Sequence, residues 1–111
     1  MNKYLLLYRG PAQEHHPSAE EMQQIFARWT AWKDKYKQQI LDVGDGLKAT
    51  GGKVLQDGKV TDGPLPEAKE IIGGYSVVQA ESMEQAIQVA RECPMAFQPH
   101  AAIEIREMMG Y

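Results

Sequence analysis

The sequence is poor in cysteine, holding only Cys93, so no intrachain disulfide framework is available and the lone thiol suits a reducing cytosol. Long apolar runs are missing too: residues 4–8 form the longest, far short of the ~20 that a membrane-spanning helix needs. There is no excess of basic charge. Twelve Lys and Arg against fifteen Asp and Glu leave a net charge of −3, which argues against a surface built to neutralise nucleic-acid phosphates. No charged leader followed by an apolar core and a small-residue cleavage site is visible, and the expected location is cytoplasmic. What remains is 111 residues, 43% hydrophobic and 24% charged, long enough for one domain over 1–111 with its own core.

Residues 3–9 (KYLLLYR) are too short an apolar run for a helix and stop at Gly10-Pro11, which, without alternation, predicts an interior strand buried on both faces. Ser18 and Glu21 then make a capping box. From there Met22, Ile25, Phe26, Trp29, Trp32, Tyr36, Ile40 and Val43 recur every three or four residues, predicting one helix over 19–43 that ends at Gly44-Asp45-Gly46. Asp57-Gly58 between two short β-compatible segments predicts a hairpin. Residues 62–66, with two prolines in five, predict an irregular turn. A strand follows over 70–80, with Tyr75, Val77 and Gln79 on one face, Ser76, Val78 and Ala80 on the other, and a bulge or close backbone approach at Gly73-Gly74. Ser82 caps a second helix over 83–93, closed by Pro94. Alternation over 102–107 predicts a last strand with Ile103 and Ile105 on one face and Glu104 and Arg106 on the other.

This order predicts an α+β fold of the ferredoxin-like, split βαβ kind: an antiparallel sheet with two helices on one face. The second face, carrying Glu104 and Arg106 and, if the strand parities agree, Tyr75 and Val77, then lines solvent, a pocket or a partner sheet, and its mixture of apolar and charged groups favours a dimer interface around a polar cavity.

At this point residues 60–70 (VTDGPLPEAKE), Gly73-Gly74-Tyr75, Val78-Gln79-Ala80, Cys93-Pro94 and the closing 103–107 (IEIRE) with Met108-Met109-Gly110 resemble the YCII-related, or DGPF-domain, family over nearly the whole chain. Leu65 stands where the motif has Phe. The resemblance implies a bacterial cytosolic homodimer of the dimeric α+β barrel type. Some members are linked to sigma factors and transcription initiation. One branch carries a His–Asp pair with its histidine on the first helix; residues 18–43 hold no histidine, so that pair does not carry over.

Candidate chemistry centres on Asp62, either a general base or a turn-forming carboxylate, and on His100, either a proton shuttle or a surface residue. Arg9, Tyr75, Glu104 and Arg106 are candidate ligand-binding neighbours; Glu104 and Arg106 can equally form an ion pair. Glu67, Lys69 and Glu70 can clamp a substrate or simply be solvated. His15-His16 lacks further ligands at metal spacing, and neither a metal nor a cofactor is expected. Trp29, Trp32 and Phe26 are expected in core or dimer packing, and Cys93 in a structural role. Two readings of function stand: a homodimer with a small-molecule cleft and acid–base activity, or a noncatalytic regulatory module linked to a sigma factor.

Overall fold

The computed structural model describes residues 1–11, 17–63 and 70–111, so His15-His16, Glu67 and Lys69 lie outside the described residues. Four strands form an antiparallel sheet in the order β2-β5-β1-β6: β1 (Asn2–Gly10), β2 (Ile40–Gly46), β5 (Ile71–Ala80) and β6 (Ala102–Glu107). Helices α1 (Ala19–Lys35) and α2 (Met83–Arg91) cover one face, and a short 3-10 turn, Pro94–Phe97, leads toward β6. Strands β3 (Gly52–Gln56) and β4 (Lys59–Gly63) pair only with each other as a separate hairpin. Asp57 and Gly58 at its tip both have positive φ, 51° and 76°, the conformation that a two-residue hairpin turn demands. No described helix is long and apolar enough to cross a membrane.

Burial alternates along the two central strands. Tyr4, Leu6 and Tyr8 on β1, and Ser76, Val78 and Ala80 on β5, are buried under the helices. Leu5 and Leu7 face the other way, opposite Val77 and Tyr75, and are half-buried. Strand β1 is thus interior to the sheet but not buried on both faces as its unbroken apolar run suggests: among the described residues the helices close one face alone. Ile103 and Ile105 pair with Tyr8 and Leu6 on the helix side, leaving Glu104 and Arg106 on the open side beside Leu7 and Leu5. Between Tyr8 and Arg9 the β1–β5 register slips past Gly73, the bulge that the glycine pair announces.

Both helices start as their caps dictate. The Ser18 Oγ accepts from the Glu21 N–H at 3.1 Å, and the Ser82 Oγ accepts from the Gln85 N–H at 3.2 Å. Trp32 ties the helices together, its buried indole N–H donating to the Val89 carbonyl at 2.9 Å. Ala86, Val89, Ala90 and Cys93 complete the core.

The first helix is shorter than the predicted 19–43. It ends at Lys35, and residues 40–46 are strand β2, so Gly44-Asp45-Gly46 lies in a sheet edge and is not a helix cap. The reason is in the register. Strand β2 slips twice against β5, between Ile40 and Asp42 and between Asp42 and Asp45. These irregularities let Ile40 and Val43 both pack on the core although they are three apart, which imitates a helical stripe. The second helix ends at Arg91, so Cys93 follows it as a buried residue of the connection.

Candidate functional site

Only the second half of α1 sits on the sheet. Trp32 is buried and Trp29 and Tyr36 pack against the core, whereas Met22 and Phe26 remain 52% and 75% exposed. Under this raised first half lies a cleft of about 460 Å³, within the ~300–1,000 Å³ typical of small-molecule sites. Met22, Ile25, Phe26 and Trp29 form its roof, one helical stripe at spacings of three and four. Tyr8 and Met95 close the inside, and the edge from Val43 to Gly46 meets 73–75 on β5.

Aromatic rings brace this wall. Tyr8 and Trp29 meet edge to face with centroids 5.8 Å apart, and Trp29 meets Trp32 the same way at 5.6 Å. Behind the Tyr8 ring a buried chain of hydroxyls fixes its position. The Cys93 thiol donates to the Tyr8 Oη at 3.4 Å, Tyr8 donates to the Ser76 Oγ at 2.5 Å, and Ser76 donates to the Val43 carbonyl at 2.6 Å. The order of donors follows from the last acceptor, a carbonyl that cannot donate. Burial pushes the Tyr8 phenol far above its ordinary value, with Cys93 adding to the shift, and burial also raises the Cys93 thiol. Both groups stay protonated and serve the architecture.

Asp45 is the charged residue in the wall of this cleft. One carboxylate oxygen, Oδ1, accepts from the Gly46 N–H at 2.8 Å; the other has no partner among the described residues. A second chamber of about 380 Å³ adjoins the first, sharing Tyr8, Ile25, Trp29, Gly73 and Met95, and brings in Arg9 and Arg28.

The six residues singled out in the sequence divide between places. Arg9 Nη1 donates to Glu104 Oε1 and Nη2 to Glu70 Oε2, each at 2.8 Å, and these bonds, Glu70 first, hold its guanidinium above the ordinary value. Arg106 Nε stands 4.0 Å from the second Glu104 oxygen. Arg9, Glu104 and Arg106 are therefore together on the open side of the sheet, as an ion-pair network. Tyr75 borders the cleft at its edge, where its carbonyl meets Gly44, while its register opposite Leu7 places it on the open side of the sheet. Asp62 sits elsewhere, 90% exposed on the hairpin, with Oδ1 accepting from Lys53 Nζ at 2.5 Å across the two strands. Among the described residues its partner is Lys53, and it lines neither chamber. His100, with positive φ of 63°, precedes β6 and lines neither chamber. Among the described residues no cluster of three His, Cys, Asp or Glu is placed to hold a metal.

Sequence reasoning missed Met22, Ile25, Phe26, Asp45 and Met95 as site residues. The available signal was the pair of glycine clusters, at 44 and 46 and at 73 and 74, where backbones approach without side chains between them.

No curated protein matches the sequence. A solved structure with the same fold is the 5-chloro-2-hydroxyhydroquinone dehydrochlorinase TftG from Burkholderia phenoliruptrix AC1100, in complex with 2,5-dihydroxybenzoquinone. It is 18% identical, aligns over 95% of this chain and 92% of its own, and has a TM-score of 0.50, a likeness of fold that supports the dimeric α+β barrel type. The profile of the YCII-related domain spans residues 1–109, and the chain belongs to that family.

Proposed function

We propose that this protein binds a small, flat, largely apolar molecule in the cleft between α1 and the sheet edge, and transfers a proton to or from it at Asp45. The observation that carries the reading is the cleft itself: an aromatic and thioether-lined space of about 460 Å³ with one carboxylate in its wall and that carboxylate half-bonded. Met22, Phe26 and Met95 supply adaptable apolar contact, Trp29 a flat one, and the rigid Tyr8 wall a fixed depth. A carboxylate anchored by one oxygen keeps the other lone pairs for a ligand hydroxyl, the geometry of a general base.

The solved relative's name supports an acid–base reading of the family fold, since loss of HCl requires proton removal as chloride departs. The working form we propose is a cytoplasmic homodimer, joined through the open sheet face. Asp62, from the centre of the motif, and His100, from its place before the last strand, stay outside the cleft of their own chain.

A thermal-shift screen of hydroxylated benzenes and quinones, 2,5-dihydroxybenzoquinone included, tests the reading. Expected hits are aromatic; they weaken in Phe26→Ala and lose turnover, where there is turnover, in Asp45→Asn. Hits indifferent to Phe26→Ala would remove the cleft as the site, and a bound ligand processed equally by Asp45→Asn would remove its chemistry.

A further inference from the structure

We infer that the ligand of this cleft is an anion held end-on, its ring in the first chamber and its negative group at Arg28 in the second. The inference rests on the cleft reading above and adds polarity to it. The two chambers share five walls, so they form one elongated space of unequal charge. The first holds Asp45 as its charged residue; the second is lined by Arg28 and by Arg9, whose guanidinium is turned to Glu104 and Glu70 on the open side, so Arg28 alone carries its charge, and no carboxylate is among its described lining residues.

The two arginines are not equivalent. Arg9 is already engaged, Nη1 with Glu104 and Nη2 with Glu70. Arg28 has no partner among the described residues. Glu92, which shares a third groove with it on the other side of α1, is bound to Lys35 Nζ at 2.5 Å. Arg28 follows Ile25 by three positions and adjoins Trp29, so the helix roots it beside the apolar roof, with its long side chain free to reach a ligand. Around it the second chamber is walled by Trp29, Ile71, Pro94 and Met95. Arg28 is exposed, so it stands at the mouth of this chamber, where its unpaired planar fork can bind a carboxylate through two parallel hydrogen bonds while the rest of the ligand lies against the apolar walls.

Asp45 supplies the opposite preference at the far end. A negative group there would meet a carboxylate, whereas a hydroxyl would meet an acceptor with a free oxygen. The chemical class that fits both ends is a hydroxylated aromatic or conjugated acid: anion toward Arg28, hydroxyl toward Asp45.

The test compares 4-hydroxycinnamate with its neutral amide, 4-hydroxycinnamamide, by titration calorimetry on wild type, Arg28→Gln, Arg28→Lys and Phe26→Ala. Wild type should favour the acid by about tenfold, the weight of one charge-assisted hydrogen bond. Arg28→Gln should erase that preference while leaving amide binding unchanged, Arg28→Lys should restore part of it, and Phe26→Ala should weaken both probes. Equal binding of acid and amide, both lost in Phe26→Ala, would overturn the polarity and leave the cleft standing. Acid preference that survives Arg28→Gln would overturn the role of Arg28. Anion binding insensitive to Phe26→Ala would move it out of the cleft, and binding of neither probe to wild type would overturn the cleft reading together with the inference.

Discussion

The carbonyl oxygen of Tyr75 fills the space that a side chain on Gly44 would need. A β-carbon at residue 44 would overlap that oxygen, and the backbone there has φ of +74°, so two independent constraints select glycine. The closeness of these strands defines the edge of the cleft. Gly44→Ala should therefore cost about 2 kcal/mol or more, since a strained left-handed residue alone costs ~1–3 kcal/mol and the overlap forces β2 away from β5. Urea unfolding gives the stability, and the same variant should bind aromatic ligands more weakly. A variant as stable as wild type would show that the edge can open without penalty.

Tyr8 links the cleft wall to the core through its hydroxyl. Removing it in Tyr8→Phe leaves Ser76 still bonded to Val43 but takes away the acceptor of the buried Cys93 thiol, a loss of about 1–2 kcal/mol.

Alkaline stability follows from the same residue. Tyr8 has its phenol raised by burial, so the folded state keeps a proton that the unfolded chain releases near pH 10. Above that point the unfolded state binds fewer protons and stability falls with rising pH; below it the contribution is fully present. Cys93, raised by burial from 9.0, acts in the same direction and begins at slightly lower pH. Unfolding curves between pH 8 and 11 should show a decline that is shallower in Tyr8→Phe and in Cys93→Ala than in wild type. Parallel curves for all three would mean that neither group governs the alkaline limb.

Both caps, the Asp-Gly hairpin and the faces of β5 and β6 were legible because each rests on local chemistry: a side-chain acceptor, a positive-φ turn, a period of two. Strand β2 was not. Its register slips put Ile40 and Val43 on one side, and Tyr36, Ile40 and Val43 then fall at the spacing of a helix that the chain does not continue. The same error hid Asp45, which reads as part of a helix terminus and is in fact a cleft residue at a sheet edge. Phe26 and Trp29 were legible as apolar but not as cleft-lining, because periodicity identifies an apolar face without saying whether another element covers it. The Glu104–Arg106 ion pair was open to reading from their spacing of two, but the Arg9–Glu104 bond was not: those residues are 95 apart, and the β1–β6 pairing brings them together.

Asp62 and Lys53 face each other across an exposed hairpin, with side chains 90% and 63% accessible. Exposed pairs of this kind contribute ~0–1 kcal/mol, so Asp62→Ala should leave thermal stability nearly unchanged. It should also leave aromatic-ligand affinity unchanged, because Asp62 lines neither chamber of its own chain. Calorimetry decides: a tenfold or greater loss of affinity in Asp62→Ala, in a protein that melts normally, would place the hairpin of a second copy over the cleft.

Leu5 lies opposite Val77 and Leu7 opposite Tyr75 on the sheet face that no helix covers. A further cavity of about 670 Å³ opens on that side, lined by Leu5, Leu7, Arg106 and the closing residues 108–111. Apolar area in such a place is stabilised by removal from water at roughly 25 cal/mol per Å², although association entropy and the desolvation of Arg106 and Glu104 offset much of that gain. A second copy supplies a matching surface without any new chemistry, since a two-fold axis sets each strand pair against its own equivalent. Leu7→Glu should then separate the copies: it adds a charge to each of two faces that meet, and its side chain points away from the helix-side core, so the fold of each chain should persist. Light scattering should report twice the 12.5 kDa chain mass for wild type at micromolar concentration and the single-chain mass for Leu7→Glu, with unchanged circular dichroism. A wild type that runs as a single chain, or a Leu7→Glu variant that remains paired, would refute association through this face.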